Sequence, residues 1–203
     1  MKTRAEKKAL TRRDLVDAAI RLSADRGFAG LSLREVCRAA GLTPTAFYRH
    51  FKDMDDLGLA LVDEVALSLR RLMREARQKA EGKGSRVESS AEAFVAFIRQ
   101  NAHLFRLLLG ERSGSSAGFR KAIRREMNLF VSELSEDLQR VAALTNRPLV
   151  DPLLTSEIIV ALVFTVGAEA LDLSPAEARR LTKRLIREIR IVLRGSESLA
   201  ERS

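Results

Sequence analysis

The stretch Gly41–Phe51, GLTPTAFYRHF, contains a turn, a helix start and two phenylalanines within eleven residues. Thr43 is a suitable N-cap, and Pro44 suits the first helical position, where its missing N–H leaves no hydrogen bond unmade. Leu42 before the cap and Phe47 at the fourth helical position match a hydrophobic staple, which fixes the direction of the incoming chain. The stretch therefore predicts a short helix that begins at Pro44 and packs through Phe47.

The other side of this short helix is predicted to be an exposed polar surface. Phe47 and Phe51 lie four residues apart and should point inward together. At 100° per residue, the opposite side then carries hydrogen-bond donors and two cations, namely Thr45, Tyr48, Arg49 and Lys52. A solvated helix face is the plain alternative, but the capped turn and the local basic charge favour a functional surface.

Two helices are predicted before this stretch. The first begins at Thr11, with Asp14 three residues on, and ends at Gly27. The second follows the capping box formed by Ser32 and Glu35 and is stopped by the glycine that opens the quoted stretch. Two short helices joined by a three-residue glycine turn form a helix-turn-helix, whose second helix fits the DNA major groove.

The basic charge of the chain is concentrated near its start. Of 203 residues with a net charge of +9, residues 1–52 carry a net of +7 and residues 53–203 a net of +2. A basic segment attached to a nearly neutral body indicates contact with a polyanion, either nucleic acid or an anionic membrane surface. Charge alone does not distinguish the two.

The sequence LSLREVCRAAGLTPTAFYRHFKDMDDLGLALV resembles the DNA-binding domain of the TetR family of bacterial repressors over about Thr11 to Leu61. The resemblance implies a homodimer whose two recognition helices enter successive major grooves of a near-palindromic operator, about 34–36 Å apart. Arg49 can pair with guanine or a phosphate, and Thr45 can meet a base edge. The resemblance also implies that the recognition helix carries Thr43, Thr45, Ala46, Tyr48, Arg49 and His50, with Lys52 just beyond it. These seven are the candidate DNA-binding residues, and Arg34 in the second helix is a weaker candidate.

The rest of the chain also has helical periodicity, so the predicted fold class is all-α. A fourth helix is expected to begin at Asp53 or Asp55 and to end at Gly82-Lys83-Gly84-Ser85. Later helices are predicted at about 87–101, 102–112, 117–143, 156–172 and 175–194, with breaks at Ser113–Ser116 and Asn146–Thr155. The predicted organisation is a DNA-binding domain at 1–54, a helical effector-binding and dimerisation domain at 55–195, and a frayed tail at 196–203.

The segment 156–172, SEIIVALVFTVGAEALD, is apolar nearly all round and must be covered on every side. It is either a core helix or a helix at a dimer seam. Helix 175–194 is amphipathic, and its arginines suit a solvated face. In the TetR family the last two helices commonly form a four-helix dimer interface, and both patterns are compatible with that arrangement.

Six phenylalanines fall in the predicted second domain, where they are either ordinary core or the lining of a cavity for an apolar effector. The segments FRLLLGERSGSS, GFRKAI and FTVGAEALDL resemble the branch of the family that represses unsaturated fatty-acid synthesis or desaturase genes, the FabR and DesT type. This implies a long-chain acyl-CoA effector, with unsaturated chains favouring the DNA-bound form and saturated chains opposing it. The candidate effector-binding residues are Phe94, Phe97, Phe105, Arg106, Arg112, Phe119, Phe130 and Phe164. Arg120, Lys121 and a helix start at Ser115 or Ser116 are further candidates for the coenzyme A phosphates.

Other classes of protein find less support in the sequence. The chain has two histidines, no metal-ligand cluster, no G-x-S-x-G and no phosphate-binding glycine loop, so neither an enzyme nor a bound cofactor is expected. With a single cysteine, Cys37, and no signal peptide, a cytoplasmic location is expected. The longest apolar run, Ile158–Ala168, is shorter than the ~20 residues of a membrane span. A non-specific basic protein that binds nucleic acid or membrane surfaces remains a rival reading.

Overall fold

The computed structural model describes residues 3–79, 86–112 and 117–201, and all regular structure in these ranges is helical. Two short 3-10 turns, Phe28–Gly30 and Ala170–Asp172, accompany the α-helices. The helices are α1 (Arg4–Arg26), α2 (Leu33–Ala39), α3 (Pro44–Phe47), α4 (Met54–Lys79), α5 (Arg86–Gln100), α6 (Ala102–Arg112), α7 (Ala117–Thr145), α8 (Pro152–Glu169) and α9 (Pro175–Ala200). The predicted all-α class is confirmed.

Helix α1 begins earlier than predicted. Thr3 caps it, and a capping box joins Thr3 to Glu6. Thr11 lies inside the helix, where its hydroxyl donates to the Lys7 carbonyl at 3.0 Å, so the predicted start at Thr11 is wrong. The earlier cap prevails because good helix formers fill the intervening turns. The predicted end at Gly27 is confirmed, since this residue has a φ of 73°, which favours glycine.

One compact unit comprises the described parts of residues 1–67 and 101–123. In it, α1 packs against α2 and α6, and α2 packs against α3. The centre of the unit consists of fully buried side chains, each worth about 1.5–3 kcal/mol of hydrophobic stabilisation relative to an exposed position. They include Leu15, Val36, Phe47, Leu57 and Leu61.

The turn before α3 is closed as the sequence predicts. The second helix has its capping box at Ser32 and Glu35, and Gly41 adopts a φ of 67°. The Leu42 N–H donates to the Cys37 carbonyl at 2.8 Å, which satisfies the end of α2. Burial also raises the pKa of the Cys37 thiol, so this side chain is a neutral member of the core.

The second compact unit comprises the described parts of residues 68–100 and 124–203. Here α9 packs against both α5 and α8. Helix α8 begins at Pro152, four residues before the predicted start, because the Asp151 carboxylate accepts from the Leu154 N–H at 2.9 Å. The predicted boundary between a DNA-binding domain at 1–54 and a second domain at 55–195 stays a prediction.

The predicted frayed tail is wrong for residues 196–200, which continue α9. Ser196 is buried, and its hydroxyl lies 2.8 Å from that of Thr155. The Ser196 carbonyl also accepts from the Val150 N–H at 3.1 Å. Gly195 therefore does not end the helix, because these contacts fix the turn that follows it.

Helix α4 begins at Met54, and its first turn is capped by Asp53, whose carboxylate accepts from the Asp56 N–H at 2.8 Å. This confirms the first of the two predicted starts. The predicted breaks at Gly82–Ser85 and Ser113–Ser116, and with them the suggested helix start at Ser115 or Ser116, lie outside the described residues.

Helix α8 is apolar along its length. The segment Pro152–Ala170 has a mean hydropathy of 1.8, which by length and composition alone would allow it to cross a membrane. Its inner side is buried in the second unit, where Ile159, Val160, Phe164 and Val166 pack. Core packing accounts for this inner side only, because Leu153, Leu154 and Ile158 on the outer side are 50%, 50% and 46% exposed.

Candidate DNA-binding surface and effector cavity

The short helix α3 is held from one side by two aromatic rings. Phe47 and Phe51 are 0% and 2% exposed, and their ring centroids lie 5.6 Å apart. At the start of the helix, the Thr43 hydroxyl accepts from the Ala46 N–H at 3.2 Å, with Pro44 at the first helical position. The cap and the two phenylalanines together fix the orientation of the helix.

Regular α-geometry ends at Phe47, so the helix is shorter than the resemblance implies. Tyr48, Arg49 and His50 continue it as hydrogen-bonded turns, in which the His50 N–H donates to the Phe47 carbonyl at 2.8 Å. The Phe51 N–H donates to the same carbonyl at 3.0 Å. The three residues therefore keep a helix-like arrangement although they lie beyond the α-helix itself.

The opposite side of this segment is exposed, as its periodicity predicts. Thr45, Tyr48, Arg49 and Lys52 are all exposed, and Tyr48 is 62% exposed. Thr43 and Arg34 are exposed as well, whereas Ala46 and His50 are half-buried. The surface thus presents hydroxyl and guanidinium donors of the kind that contact base edges and phosphates.

His50 lies among cations. Burial lowers the pKa of its imidazole, and the positive charges of Lys8, Arg12 and Arg49 lower it further. Its Nδ1 is buried and has no hydrogen-bond partner within the described part of the chain. The imidazole is consequently neutral near pH 7.

A cavity of about 430 Å³ lies within the second unit. Side chains from α4, α5, α7, α8 and α9 line it, and most of them are apolar. Three rings form an aromatic wall: Phe164 lies 6.3 Å from Phe94 and 6.0 Å from Phe130, centroid to centroid. This size lies within the range of small-molecule pockets, roughly 300–1,000 Å³.

The other phenylalanines predicted to bind the effector, and Arg106, lie elsewhere. Phe97 is half-buried on α5 and does not line this cavity. Phe105 and Phe119 are buried in the first unit, where Arg106 is exposed. The side chain of Arg112 lies outside the described residues. The structure therefore brings together three of the six predicted phenylalanines.

Opposed charges of α4 and α7 form one wall of the cavity. Arg74 pairs with Glu133 at 3.3 Å, and Arg77 pairs with Asp137 at 2.5 Å. Arg140 also pairs with Asp137, at 2.8 Å. Because the acids largely balance the arginines, an anionic head group would have to compete with Glu133 and Asp137 for its partners.

One further arginine joins this charged wall to the aromatic one. Arg70 forms ion pairs with Glu126 and, at 3.3 Å, with Glu133. Its guanidinium carbon lies 5.7 Å from the ring centroid of Phe130. Arg70 thus connects α4 to α7 beside the cavity.

Sequence reasoning missed these charged residues. The signal was present in part, because Arg70, Arg74 and Arg77 recur at helical spacing on α4, as do Glu126, Glu133 and Asp137 on α7. Spacing shows that each helix carries a charged stripe. Only the packing of α4 against α7 shows that the two stripes face each other.

Comparisons with known proteins agree with this architecture. Residues 15–61 match the sequence profile of the family described as bacterial regulatory proteins, tetR family. A protein from Rhodococcus sp. described as a TetR-family transcriptional regulator has a similar fold: TM-score 0.71, 24% identity, covering 90% of this chain and 98% of that one. The fatty acid degradation regulator FadR from Bacillus halodurans is similar at TM-score 0.67 and 15% identity, covering 87% and 94%. The reduced form of NemR from E. coli is similar at TM-score 0.70 and 20% identity, covering 90% and 97%.

Proposed function

We propose that this chain is a sequence-specific transcriptional repressor of the TetR type, because residues 15–61 match that family's sequence profile. The observation that carries the proposal is the two-sided segment at α3. Phe47 and Phe51 are buried, whereas Thr45, Tyr48 and Arg49 on the other side are exposed. A helix fixed in this way can enter a major groove and read base edges there.

The acting form is a homodimer built on α8 and α9. Helix α8 leaves large apolar side chains exposed although its inner side is packed; Leu153, Leu154 and Ile158 are 50%, 50% and 46% exposed. Ile191 on α9 is 70% exposed. A two-fold axis through this surface would bury these side chains and give the protein two recognition helices for a near-palindromic operator.

The effector is an amphiphile with a long apolar chain, and a long-chain acyl-CoA is the specific candidate. The aromatic and aliphatic lining of the cavity suits an acyl chain. An anionic head group would pair with the arginines of the charged wall by displacing Glu133 and Asp137 from them. A bent unsaturated chain and a straight one require different wall arrangements in a packed cavity, so they can favour different conformations. A role in lipid-gene control follows, and the FadR protein from B. halodurans, a regulator of fatty acid degradation, shares the fold.

Selection from a random-sequence duplex library tests the DNA-binding proposal. The wild-type protein should enrich a near-palindromic sequence and bind it at least ~10³-fold more tightly than a random duplex at physiological salt. The double variant Thr45→Ala/Arg49→Ala should lose this preference. Equal binding to all duplexes would instead indicate a non-specific basic protein.

Oleoyl-CoA and palmitoyl-CoA test the effector proposal on the selected duplex. The two should shift its binding in opposite directions. Val163→Phe, which adds a ring inside the cavity, should abolish both shifts, whereas Leu129→Phe at an exposed position of α7 should leave them unchanged. A response to neither thioester would reject the lipid assignment and leave a regulator that senses another hydrophobic molecule.

A further inference from the structure

The first turns of α1 carry an excess of positive charge outside the region that matches the family profile. Between Arg4 and Arg12 there are four cations and one acid, Glu6. The Glu6 carboxylate accepts from the Thr3 N–H at 2.7 Å and is engaged in the cap. The matched region begins only at Leu15.

Three of these cations lie in one row. Arg4, Lys8 and Arg12 are spaced four residues apart, so they occupy neighbouring positions along one side of the helix over about 12 Å. All three are exposed, and none forms an ion pair within the described residues. Arg13, in contrast, pairs with Asp17 at 3.9 Å.

The row ends at the DNA-binding surface. The Arg12 guanidinium carbon lies 5.0 Å from the ring centroid of Phe51, the residue that anchors the end of the α3 segment. The positive charges of both Lys8 and Arg12 reach His50, whose pKa they lower. A cation stacked on a buried ring loses less rotamer freedom on binding than a free side chain does.

We propose that Arg4, Lys8 and Arg12, here called the basic ridge, bind the phosphodiester backbone of DNA beside the major groove that α3 enters. The inference rests on the proposed function for the location of the groove. Contact with phosphates rather than bases fits these side chains, because they project from a helix that lies next to the recognition segment and is not part of it. The ridge adds charge-dependent affinity and fixes the register of α3.

An anionic membrane surface is the other polyanion that could meet such a ridge. Helices that bind membranes in this way also carry a broad exposed apolar face. Over residues 3–14, the large exposed apolar side chains amount to Leu10, at 39% exposure. The ridge is instead continuous with the hydroxyl and guanidinium donors of the α3 segment, which favours DNA.

The salt dependence of DNA binding tests the ridge. Affinity for the selected duplex and for a random duplex is measured between 50 and 200 mM salt for the wild type and for Lys8→Gln/Arg12→Gln. Each phosphate contact contributes about 0.9 to the slope of log affinity against log salt, so the variant should lose about 1.8 on both duplexes, with its preference for the selected duplex unchanged. A second variant, Arg4→Gln/Lys8→Gln, keeps the Arg12–Phe51 contact and should lose the same amount of slope. It tests the ridge even if Lys8→Gln/Arg12→Gln fails to fold.

A control removes two exposed cations from α7, which lies outside the proposed dimer interface, in Lys121→Gln/Arg124→Gln. Its salt slope should equal that of the wild type. The ridge proposal is overturned if both ridge variants keep the wild-type slope, or if the control loses as much slope as they do. Binding to phosphatidylglycerol vesicles is measured alongside. The proposal is also overturned if the ridge variants lose binding to the vesicles but not to DNA. If the wild type enriches no sequence, the repressor proposal fails, and the random-duplex slopes still decide whether the ridge binds phosphates.

Discussion

The ring of Phe119 occupies the space that a side chain at position 58 would need. A Cβ added to Gly58 would overlap Cζ of Phe119 and lie 2.8 Å from Cε1 of Phe28. The rings of Phe28 and Phe119 are themselves in contact, with centroids 6.2 Å apart. Gly58 is therefore required by packing, although glycine is unfavourable within a helix such as α4.

Gly58→Ala should accordingly lower the free energy of unfolding by about 1 kcal/mol. Overpacking costs about 1–3 kcal/mol, and the better helix propensity of alanine offsets about 1 kcal/mol of it. Gly195→Ala on α9 is the matched control, because its Cβ would meet nothing within 4 Å, and it should stabilise by about 0.5–1 kcal/mol. Urea denaturation measures both, and changes of the same sign would contradict the packing argument.

Thr43→Ala should destabilise the protein by about 1 kcal/mol, because the hydroxyl that accepts from the Ala46 N–H is lost. Thr43→Ser keeps this hydroxyl and should remain close to the wild type. The midpoints of urea unfolding compare the three proteins. If alanine proves as stable as serine here, the cap does not hold α3.

Arg49→Ala should weaken binding to the selected duplex by about 1–3 kcal/mol if the guanidinium contacts a base through two hydrogen bonds. Binding to a random duplex should then change much less. Fluorescence titration of both duplexes separates these cases. Equal losses on the two duplexes would make Arg49 a phosphate contact rather than a reader of sequence.

Glu126→Ala should destabilise the second unit by about 3 kcal/mol, since it removes a partner of the largely buried Arg70. The two side chains are 12% and 8% exposed, and Glu133 remains as the other carboxylate near Arg70. Glu169→Ala breaks an exposed pair with Arg184 and should cost at most ~1 kcal/mol. Thermal and urea unfolding measure both variants. Equal losses of stability in Glu126→Ala and Glu169→Ala would contradict a structural role for the Arg70–Glu126 pair.

His50 should make stability depend on pH. Its folded-state pKa is lowered from 6.5, so the folded protein binds fewer protons than the unfolded chain, and stability is lost as pH falls below about 6.5. His50→Gln removes this titration, and its free energy of unfolding should fall less between pH 7 and pH 5. Parallel pH profiles for the two proteins, measured without DNA, would rule out this contribution.

The local part of the fold could be read from the sequence alone. Capping, glycine turns and the spacing of Phe47 and Phe51 predicted α2, α3 and the exposed polar side of α3 correctly, because these features depend on residues within four positions of one another. The start of α1 was readable by the same rule, since Thr3 and Glu6 form a capping box, but the prediction placed it at Thr11.

Contacts between distant residues were decided only by the tertiary structure. Arg70 and Glu126 are 56 positions apart, and no periodicity pairs them. No sequence pattern shows which phenylalanines line the cavity either. Phe94, Phe130 and Phe164 line it, whereas Phe105 and Phe119 pack in the other unit. A side chain's own helix fixes which face it occupies, but what that face meets depends on how the helices pack, and packing is a property of the whole chain.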